Sequence, residues 1–127
     1  MNILIVDDRP SLARVTAVAL RTLECHAFVA HSTAAATRVL DTEKIDAVFL
    51  DVNLGQENGL DYLSTLVQRT LRTPVVIFTS HAKDDVVDEA MSRGAFDCLI
   101  KPYTLDDLRE QKNKIEKHWR LVGGENA

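Results

Sequence analysis

Short apolar runs recur along the chain and alternate with longer stretches of mixed polarity. Each run has the length of a strand and is rich in residues that favour strands. The runs are Ile3–Val6, Ala27–Ala30, Ala47–Leu50, Val75–Phe78 and Cys98–Ile100. Because the runs are continuously apolar, they predict five strands of a sheet that is covered on both faces.

The stretches between the runs have helical periodicity. In the first stretch, a spacing of three and four residues joins Leu12, Val15, Ala19 and Leu23. Ser32 can cap the second helix, and Thr104 with Asp107 resembles a capping box for the last one. The predicted helices are Pro10–Leu23, Ala35–Leu40 after the cap, Leu60–Leu71, Asp84–Arg93 and Thr104 to about Val122.

Five strands that alternate with five helices indicate right-handed crossovers and one parallel sheet. In such sheets, ligands bind beyond the carboxyl ends of the strands. The second strand ends at His31 and Ser32, which carry no comparable chemistry. The other four strands are followed, in order, by Asp7 and Asp8, Asp51, Thr79 and Ser80, and Lys101. We therefore expect three carboxylates, a hydroxyl group and an ammonium group to meet at one edge of the sheet.

This combination of groups suits phosphoryl chemistry. Clustered carboxylates form a hard oxygen site, for which Mg²⁺ is the natural ion. The metal and Lys101 would offset the negative charge of an incoming phosphoryl group. One aspartate can then act as the nucleophile and form an acyl phosphate, while Thr79 can donate a hydrogen bond to a phosphoryl oxygen.

Composition narrows the class of protein. The chain has 127 residues, 46% hydrophobic and 27% charged, which is typical of one globular domain. A net charge of −4 gives no support for direct binding to nucleic acid or to an anionic membrane. We expect a cytoplasmic protein without a signal peptide, in which Cys25 and Cys98 are reduced thiols. Cys25, His26 and His31 match no zinc spacing.

The motifs "VDD", "FLDVNL", "FTS" and "AFDCLIKP", in this order, resemble those of the receiver domain of bacterial two-component response regulators. The resemblance extends from Met1 to about His118. It implies a flavodoxin-like fold, (βα)5, with strand order 2-1-3-4-5, in which residues 1–122 form the domain and residues 123–127 a tail or linker. It also implies a signalling switch, not a turnover enzyme, that receives its phosphoryl group from a sensor histidine kinase or a phosphotransfer protein.

The resemblance assigns roles to single residues. Asp51 matches the phosphoacceptor and Asp8 the direct ligand of Mg²⁺, or of Mn²⁺ in its place. Asp7 matches the ligand that acts mostly through water, and Asn53 the residue whose backbone carbonyl completes the metal site. The phosphate-binding and switch positions are Lys101 and Thr79, and the bond between Lys101 and Pro102 is usually cis in the family.

Some positions depart from the family pattern or stay open. Leu54 and Gly55 replace a common Met-Pro pair, and Tyr103 replaces a phenylalanine. Cys98 occupies the position of the switch aromatic residue, so this position carries no aromatic ring. Asn53 and His81 are candidates for modulating dephosphorylation, although His81 could equally be an exposed loop residue.

The last helix raises the question of partners. Its seam is spaced like a heptad repeat and comprises Leu105, Leu108, Lys112, Ile115, Trp119 and Val122. The helix would span about 28 Å, against about 17 Å for a strand, so its second half is expected to project beyond the sheet. It would then pair with a second copy or lead into another domain. The simpler alternative is a helix that packs only on its own sheet, with Trp119 in that packing.

The stretch "GAFDCLIKPYTLDDL" is similar to receivers of the nitrogen-regulation type, which precede ATPase and DNA-binding modules. This implies an output domain after the chain and a role in transcription regulation. A homodimer could also use the face formed by helix 84–93, strand 98–100 and helix 104–122.

Two other functions compete with the switch. A haloacid-dehalogenase-type phosphatase also has an aspartate nucleophile, a threonine or serine and a lysine. However, Asn53 stands where that family has its second aspartate, and no room is left for a cap domain. An interaction module that works without phosphorylation, or a flavin binder, is disfavoured by the complete acidic set and by the lack of a phosphate loop after Val6.

Overall fold

The structure is a computed structural model that describes residues 1–69, 72–80 and 84–122. The strands are β1 Asn2–Val6, β2 His26–Ala30, β3 Ala47–Asp51, β4 Asn53–Leu54, β5 Glu57–Asn58, β6 Val75–Thr79 and β7 Asp97–Ile100. The helices are α1 Pro10–Thr22, α2 Thr33–Thr42, α3 Gly59–Arg69, α4 Asp84–Ser92 and α5 Leu105–Leu121. All five predicted strands and all five predicted helices are present. The predicted helix end at Leu71, His81 and the tail 123–127 lie outside the described residues.

Five of the strands form one parallel sheet in the order β2-β1-β3-β6-β7. The two-residue strands β4 and β5 form a separate antiparallel ribbon. Without this ribbon, the order is the predicted 2-1-3-4-5. Val6 pairs with Leu50 at the carboxyl end of the sheet. Asp7 and Asp51 are the next residues along these two adjacent strands, so they lie side by side.

Apolar side chains cover both faces of the sheet, as the continuous runs predict. Alternate strand residues point to opposite faces. Leu4, Val48 and Ile77 belong to the buried cluster on one face, and α2, α3 and α4 add residues to it. The cluster on the other face includes Ile5 and Phe49 and is completed by residues of α1 and α5.

Helix α1 buries a different side from the predicted one. Its buried residues are Ala13, Thr16, Ala17 and Leu20. Leu12 and Val15 belong to the predicted stripe, yet they are 45% and 63% exposed. Apolar residues surround most of this helix, so their spacing does not select one face. The face that carries alanines lies against the sheet, where small side chains allow close packing.

Helix α5 begins with the predicted capping box. The Asp107 amide donates to Thr104 Oγ1 at 3.1 Å, and the Thr104 amide donates to Asp107 Oδ2 at 2.8 Å. Because Ile115 is fully buried and Trp119 packs against the core, the expected projection of the second half of α5 is wrong. Residues 120–122, at the end of the helix, are exposed, and Leu121 is 75% exposed. Leu108, Ile115 and Trp119 of the predicted seam thus pack within their own domain, whereas Leu105 and Val122 at its ends are exposed.

None of the helices in the described ranges combines the length and the apolar character that crossing a membrane requires.

Candidate functional site

Asp51 is the last residue of β3, and only 3% of its surface is exposed. Its Oδ1 accepts a hydrogen bond from the Asn53 amide at 2.8 Å. Its Oδ2 accepts from Lys101 Nζ and from Arg9 Nη2, the latter at 2.8 Å. A carboxylate is costly to bury unless it is paired and hydrogen-bonded. Two cations therefore pair with this buried carboxylate.

Asp7 extends the line of β1 and is 7% exposed. Its amide donates to Ala30 O at 3.1 Å, which continues the sheet by one residue. Its carboxylate oxygen Oδ1 accepts from the Arg9 amide at 2.9 Å and lies 3.4 Å from Arg9 Nε. The first predicted carboxylate thus lies at the same edge as Asp51, and one arginine contacts both.

Asp8 is half-buried, and its carboxylate lies against Gly55. A Cβ atom at position 55 would come within 2.9 Å of Asp8 Oδ2. Gly55 also has a φ of +67°, which side chains rarely adopt. The departure from the family pattern at this position therefore leaves room for the Asp8 carboxylate.

Gly59 is a site residue that sequence reasoning missed. A Cβ atom on Gly59 would lie 2.3 Å from Asp51 O and 2.7 Å from Val52 Cα. Its amide donates to Val52 O at 2.9 Å. The first residue of α3 is thus packed directly behind the backbone of Asp51. The Asn58-Gly59 pair gave a turn signal in the sequence, but nothing there indicated which backbone it approaches.

Lys101 reaches Asp51 from the end of β7. The Lys101 amide donates to Thr79 O at 2.8 Å, and the bond to Pro102 is cis, as the resemblance implied. Thr79 is fully buried at the end of β6, and Ser80 lies beyond it at the surface. The predicted convergence of four strand ends therefore extends to β6 and β7.

A cleft of about 520 Å³ opens above Asp51. Its polar lining includes Asp7, Arg9, Asp51, Ser80 and Lys101, and its apolar lining includes Leu12, Val15, Phe78, Pro102 and Tyr103. Asp51 thus lies in a cleft that is lined by an arginine, a lysine and an apolar wall.

Tyr103 forms part of this wall and joins it to α1. Its hydroxyl group is hydrogen-bonded to Thr16 Oγ1, and its ring packs edge-on against Phe78 with 5.1 Å between centroids. Burial raises the pKa of Tyr103, so the phenol stays protonated at neutral pH. The sequence showed only a tyrosine in place of phenylalanine, and the contact with Thr16 could not be read from it.

The predicted metal ligands share one edge of the sheet. Asp7, Asp8, Asp51 and the carbonyl of Asn53 are an all-oxygen donor set, which fits Mg²⁺ or Mn²⁺ chemically. As the side chains stand, no three carboxylate, imidazole or thiolate groups within the described ranges are gathered around one point. Oδ2 of Asp51 is turned toward Arg9 and Lys101, so binding of a metal ion to this oxygen requires these contacts to adjust.

Cys98 lies apart from the cleft. It pairs with Ile77 within the sheet and packs against the buried cluster on the α3 side. Burial, and to a lesser extent Asp97, raise the pKa of its thiol, which favours the unreactive protonated form. Both Cys25 and Cys98 are free thiols, as expected.

The chain matches the family model of the response regulator receiver domain over residues 3–113, and it belongs to that family. Receiver domains are signalling domains of two-component systems rather than turnover enzymes.

Two similar curated proteins are regulators. The alginate biosynthesis transcriptional regulatory protein AlgB of Pseudomonas putida is 36% identical over 108 residues, which are 85% of this chain and 24% of that protein. The regulatory protein AtoC of Escherichia coli is 35% identical over 109 residues, 84% of this chain and 23% of that protein. The chain thus spans about a quarter of the length of these relatives.

Solved structures agree with the fold. A response regulator receiver domain from Clostridium thermocellum has a TM-score of 0.89 at 28% identity, covering 95% of this chain and 98% of that one. NtrX from Brucella abortus, solved in complex with ATP, has a TM-score of 0.89 at 25% identity, covering 95% of this chain and 28% of that one. The flavodoxin-like fold class is confirmed.

Proposed function

We propose that this receiver domain is a switch that is phosphorylated on Asp51. The observation that carries the proposal is a nearly fully buried carboxylate at the floor of a cleft, paired with two cations. Sensor histidine kinases or phosphotransfer proteins are the donors, and the output is a transcriptional one. AlgB is a transcriptional regulator about four times as long as the matched segment, which supports an output domain beyond residue 122.

Asp51 acts as the nucleophile. One of its oxygens forms a bond to phosphorus as the bond from phosphorus to the donor's histidine nitrogen breaks, and the freed imidazole takes up a proton. Lys101, which holds Oδ2 in this structure, then pairs with a phosphoryl oxygen. The hydroxyl group of Thr79, at the end of the neighbouring strand, donates to another phosphoryl oxygen and couples the reaction to β6.

The metal site is proposed on the same donor set. Asp8, Asp51 and the carbonyl of Asn53 would hold Mg²⁺ directly, and Asp7 would hold it through water. When bound, Mg²⁺ supplies positive charge against which the phosphoryl oxygens can be placed. Asn53, whose amide already contacts Asp51, and His81 are the residues proposed to modulate dephosphorylation.

The phosphoryl donor is proposed to cover the exposed strip of α1. Leu12 and Val15 line the cleft, and Val18, a further exposed apolar residue of the same helix, is 51% exposed. Exposed apolar patches beside a polar site are typical of protein interaction surfaces. A donor seated there would reach Asp51 past Arg9 and exclude water from the cleft.

Acetyl phosphate with Mg²⁺ tests the proposal without knowledge of the cognate kinase. We expect one acid-labile adduct of about 80 Da per chain, the mass of one phosphoryl group, and its loss in Asp51→Asn. Asp46→Asn is the matched control, because Asp46 is also a buried aspartate beside β3. Modification of Asp51→Asn at the wild-type rate would remove Asp51 from its role. Rapid turnover of phosphate esters would indicate a phosphatase, and no reaction would indicate an interaction module.

A further inference from the structure

Arg9 contacts two of the three acidic residues at the site, and neither the motifs nor the predicted metal site includes it. We propose that Arg9 is a built-in counter-ion of the phosphoacceptor, which opposes Mg²⁺ binding and favours binding of the phosphoryl group. This inference rests on the proposed function of Asp51. It concerns how strongly the site holds each of its two ligands.

The position of Arg9 is fixed by its own backbone. It is the N-cap residue of α1, in extended conformation with a φ of −103°, and Pro10 follows at the start of the helix. Its amide and its Nε both face Asp7 Oδ1, at 2.9 and 3.4 Å. This double contact leaves Nη2 directed at Asp51 Oδ2, 2.8 Å away. The side chain therefore bridges the ends of β1 and β3.

Arg9 remains a cation in this environment. Partial burial acts to lower its pKa, but the carboxylates of Asp7 and Asp51 outweigh burial and raise it. An arginine is charged throughout the working pH range. The predicted ligands Asp7, Asp8 and Asp51 carry three negative charges, which Lys101 reduces to a net charge of −2. Arg9 reduces it further, to −1, so a divalent cation meets a weaker net attraction than it would meet without Arg9.

Arg9 also competes for a specific atom. Arg9 and Lys101 share Asp51 Oδ2, while Oδ1 is engaged by the Asn53 amide. A metal ion that binds Asp51 through Oδ2 must therefore displace a charged hydrogen bond. For an incoming phosphoryl group, Arg9 is a partner and not a competitor, because the group brings new anionic oxygens to the same place. The side chain of Arg9 is 48% exposed at the cleft, so it has room to turn toward such an oxygen.

The proposal predicts that replacing Arg9 changes the affinities for the two ligands in opposite directions. With Arg9→Gln, Mg²⁺ should bind about two- to tenfold more tightly, the range for removal of one partly exposed charge next to a divalent ion. At saturating Mg²⁺, beryllofluoride, which mimics the phosphoryl group, should bind about two- to tenfold more weakly. If the role of Arg9 were merely structural, its replacement would weaken the binding of both ligands.

Both affinities can be measured by calorimetric titration of this chain, first with Mg²⁺ and then with beryllofluoride at saturating Mg²⁺. The variants are Arg9→Gln, Arg9→Lys and the control Arg14→Gln, which removes the same charge from an exposed position of α1. We expect Arg9→Lys to lie between wild type and Arg9→Gln, and Arg14→Gln to match wild type. Circular dichroism monitors folding. If Arg9→Gln is unstable, the affinities of Arg9→Lys for the two ligands test the proposal instead.

The outcomes separate this inference from the proposed function. If wild type binds beryllofluoride and is phosphorylated on Asp51, but Arg9→Gln shifts both affinities in the same direction or neither, the role of Arg9 is overturned alone. If wild type neither binds beryllofluoride nor is modified, the proposed function fails, and the role of Arg9 falls with it.

Discussion

Two buried aspartates flank β3, one at each end. Asp46 directly precedes the strand and is 7% exposed, while Asp51 ends it and is 3% exposed. They have the same side chain, lie at opposite ends of the same strand and are buried to nearly the same extent. Their surroundings differ: Asp51 faces a cleft and two cations, whereas Asp46 accepts a hydrogen bond from the Asn2 amide at 2.5 Å.

Asp46 ties separate segments of the fold together. Its carboxylate receives the amide at the start of β1, and its backbone carbonyl accepts from Trp119 Nε1 of α5 at 3.0 Å. The other carboxylate oxygen, Oδ1, has no hydrogen-bond partner among the residues that the structure describes. The comparison teaches that burial alone does not mark a reactive aspartate. In the proposed function Asp51 acts through its charge, whereas Asp46 serves the fold as a hydrogen-bond acceptor.

The largest effect is expected from Gly59→Ala, which breaks the support of Asp51. The added methyl group would overlap the backbone of Asp51 and Val52, which cannot move aside as a flexible side chain can. We expect a loss of about 3 kcal/mol in the free energy of unfolding, the upper range for overpacking, and slower phosphorylation by acetyl phosphate. Urea unfolding and intact-mass kinetics measure the two effects.

The control for this variant is Thr65→Ala, at an exposed position of the same helix. It should change both quantities little. If Gly59→Ala kept the stability and phosphorylation rate of wild type, α3 would be free to shift, and its close approach to Asp51 would have no importance.

The next largest effect is expected at the other end of β3. Asp46→Ala leaves the partly buried Asn2 amide without its acceptor, which should cost about 2 kcal/mol. Asp46→Asn keeps an acceptor oxygen and should cost much less. Phosphorylation of Asp51 should persist in both variants. Chemical unfolding compares their stabilities, and equal losses in the two would mean that the charge of Asp46, not its acceptor, stabilises the fold.

The smallest effect on stability is expected from a change in α5 that removes one contact with Asp46. Trp119→Phe keeps an aromatic ring in the core but removes the N–H group that donates to Asp46 O. We expect a loss of about 1 kcal/mol, the usual contribution of one hydrogen bond, and unchanged phosphorylation. A thermal melt would detect it as a small fall in Tm. An unaltered melting temperature would show that the ring alone accounts for the contribution of Trp119.

The sequence predicted those features that depend on local pattern. Continuous apolar runs located the strands, and parallel topology then brought Asp7, Asp51 and Lys101 to one edge. The capping box at Thr104 was also predictable, because it involves residues three apart in the chain.

Features that depend on tertiary approach were not predictable in this way. Arg9 folds back onto Asp51 and Gly59 packs behind it, but neither contact leaves a periodic signal. The buried face of α1 was mistaken because Leu12 and Val15 are apolar and yet exposed. The projection of α5 was mistaken because helix length alone says nothing about the anchor that Trp119 finds at Asp46.

Helix α5 spans the height of the domain, from the loop that carries Lys101 to the carbonyl of Asp46. A helix of 17 residues is about 25 Å long and bends little, so it behaves as a stiff rod between these points. Trp119, at the far end of this rod, is the single tryptophan of the chain. Its fluorescence is therefore an intrinsic optical reporter, placed far from Asp51, for any displacement of the rod that phosphorylation produces.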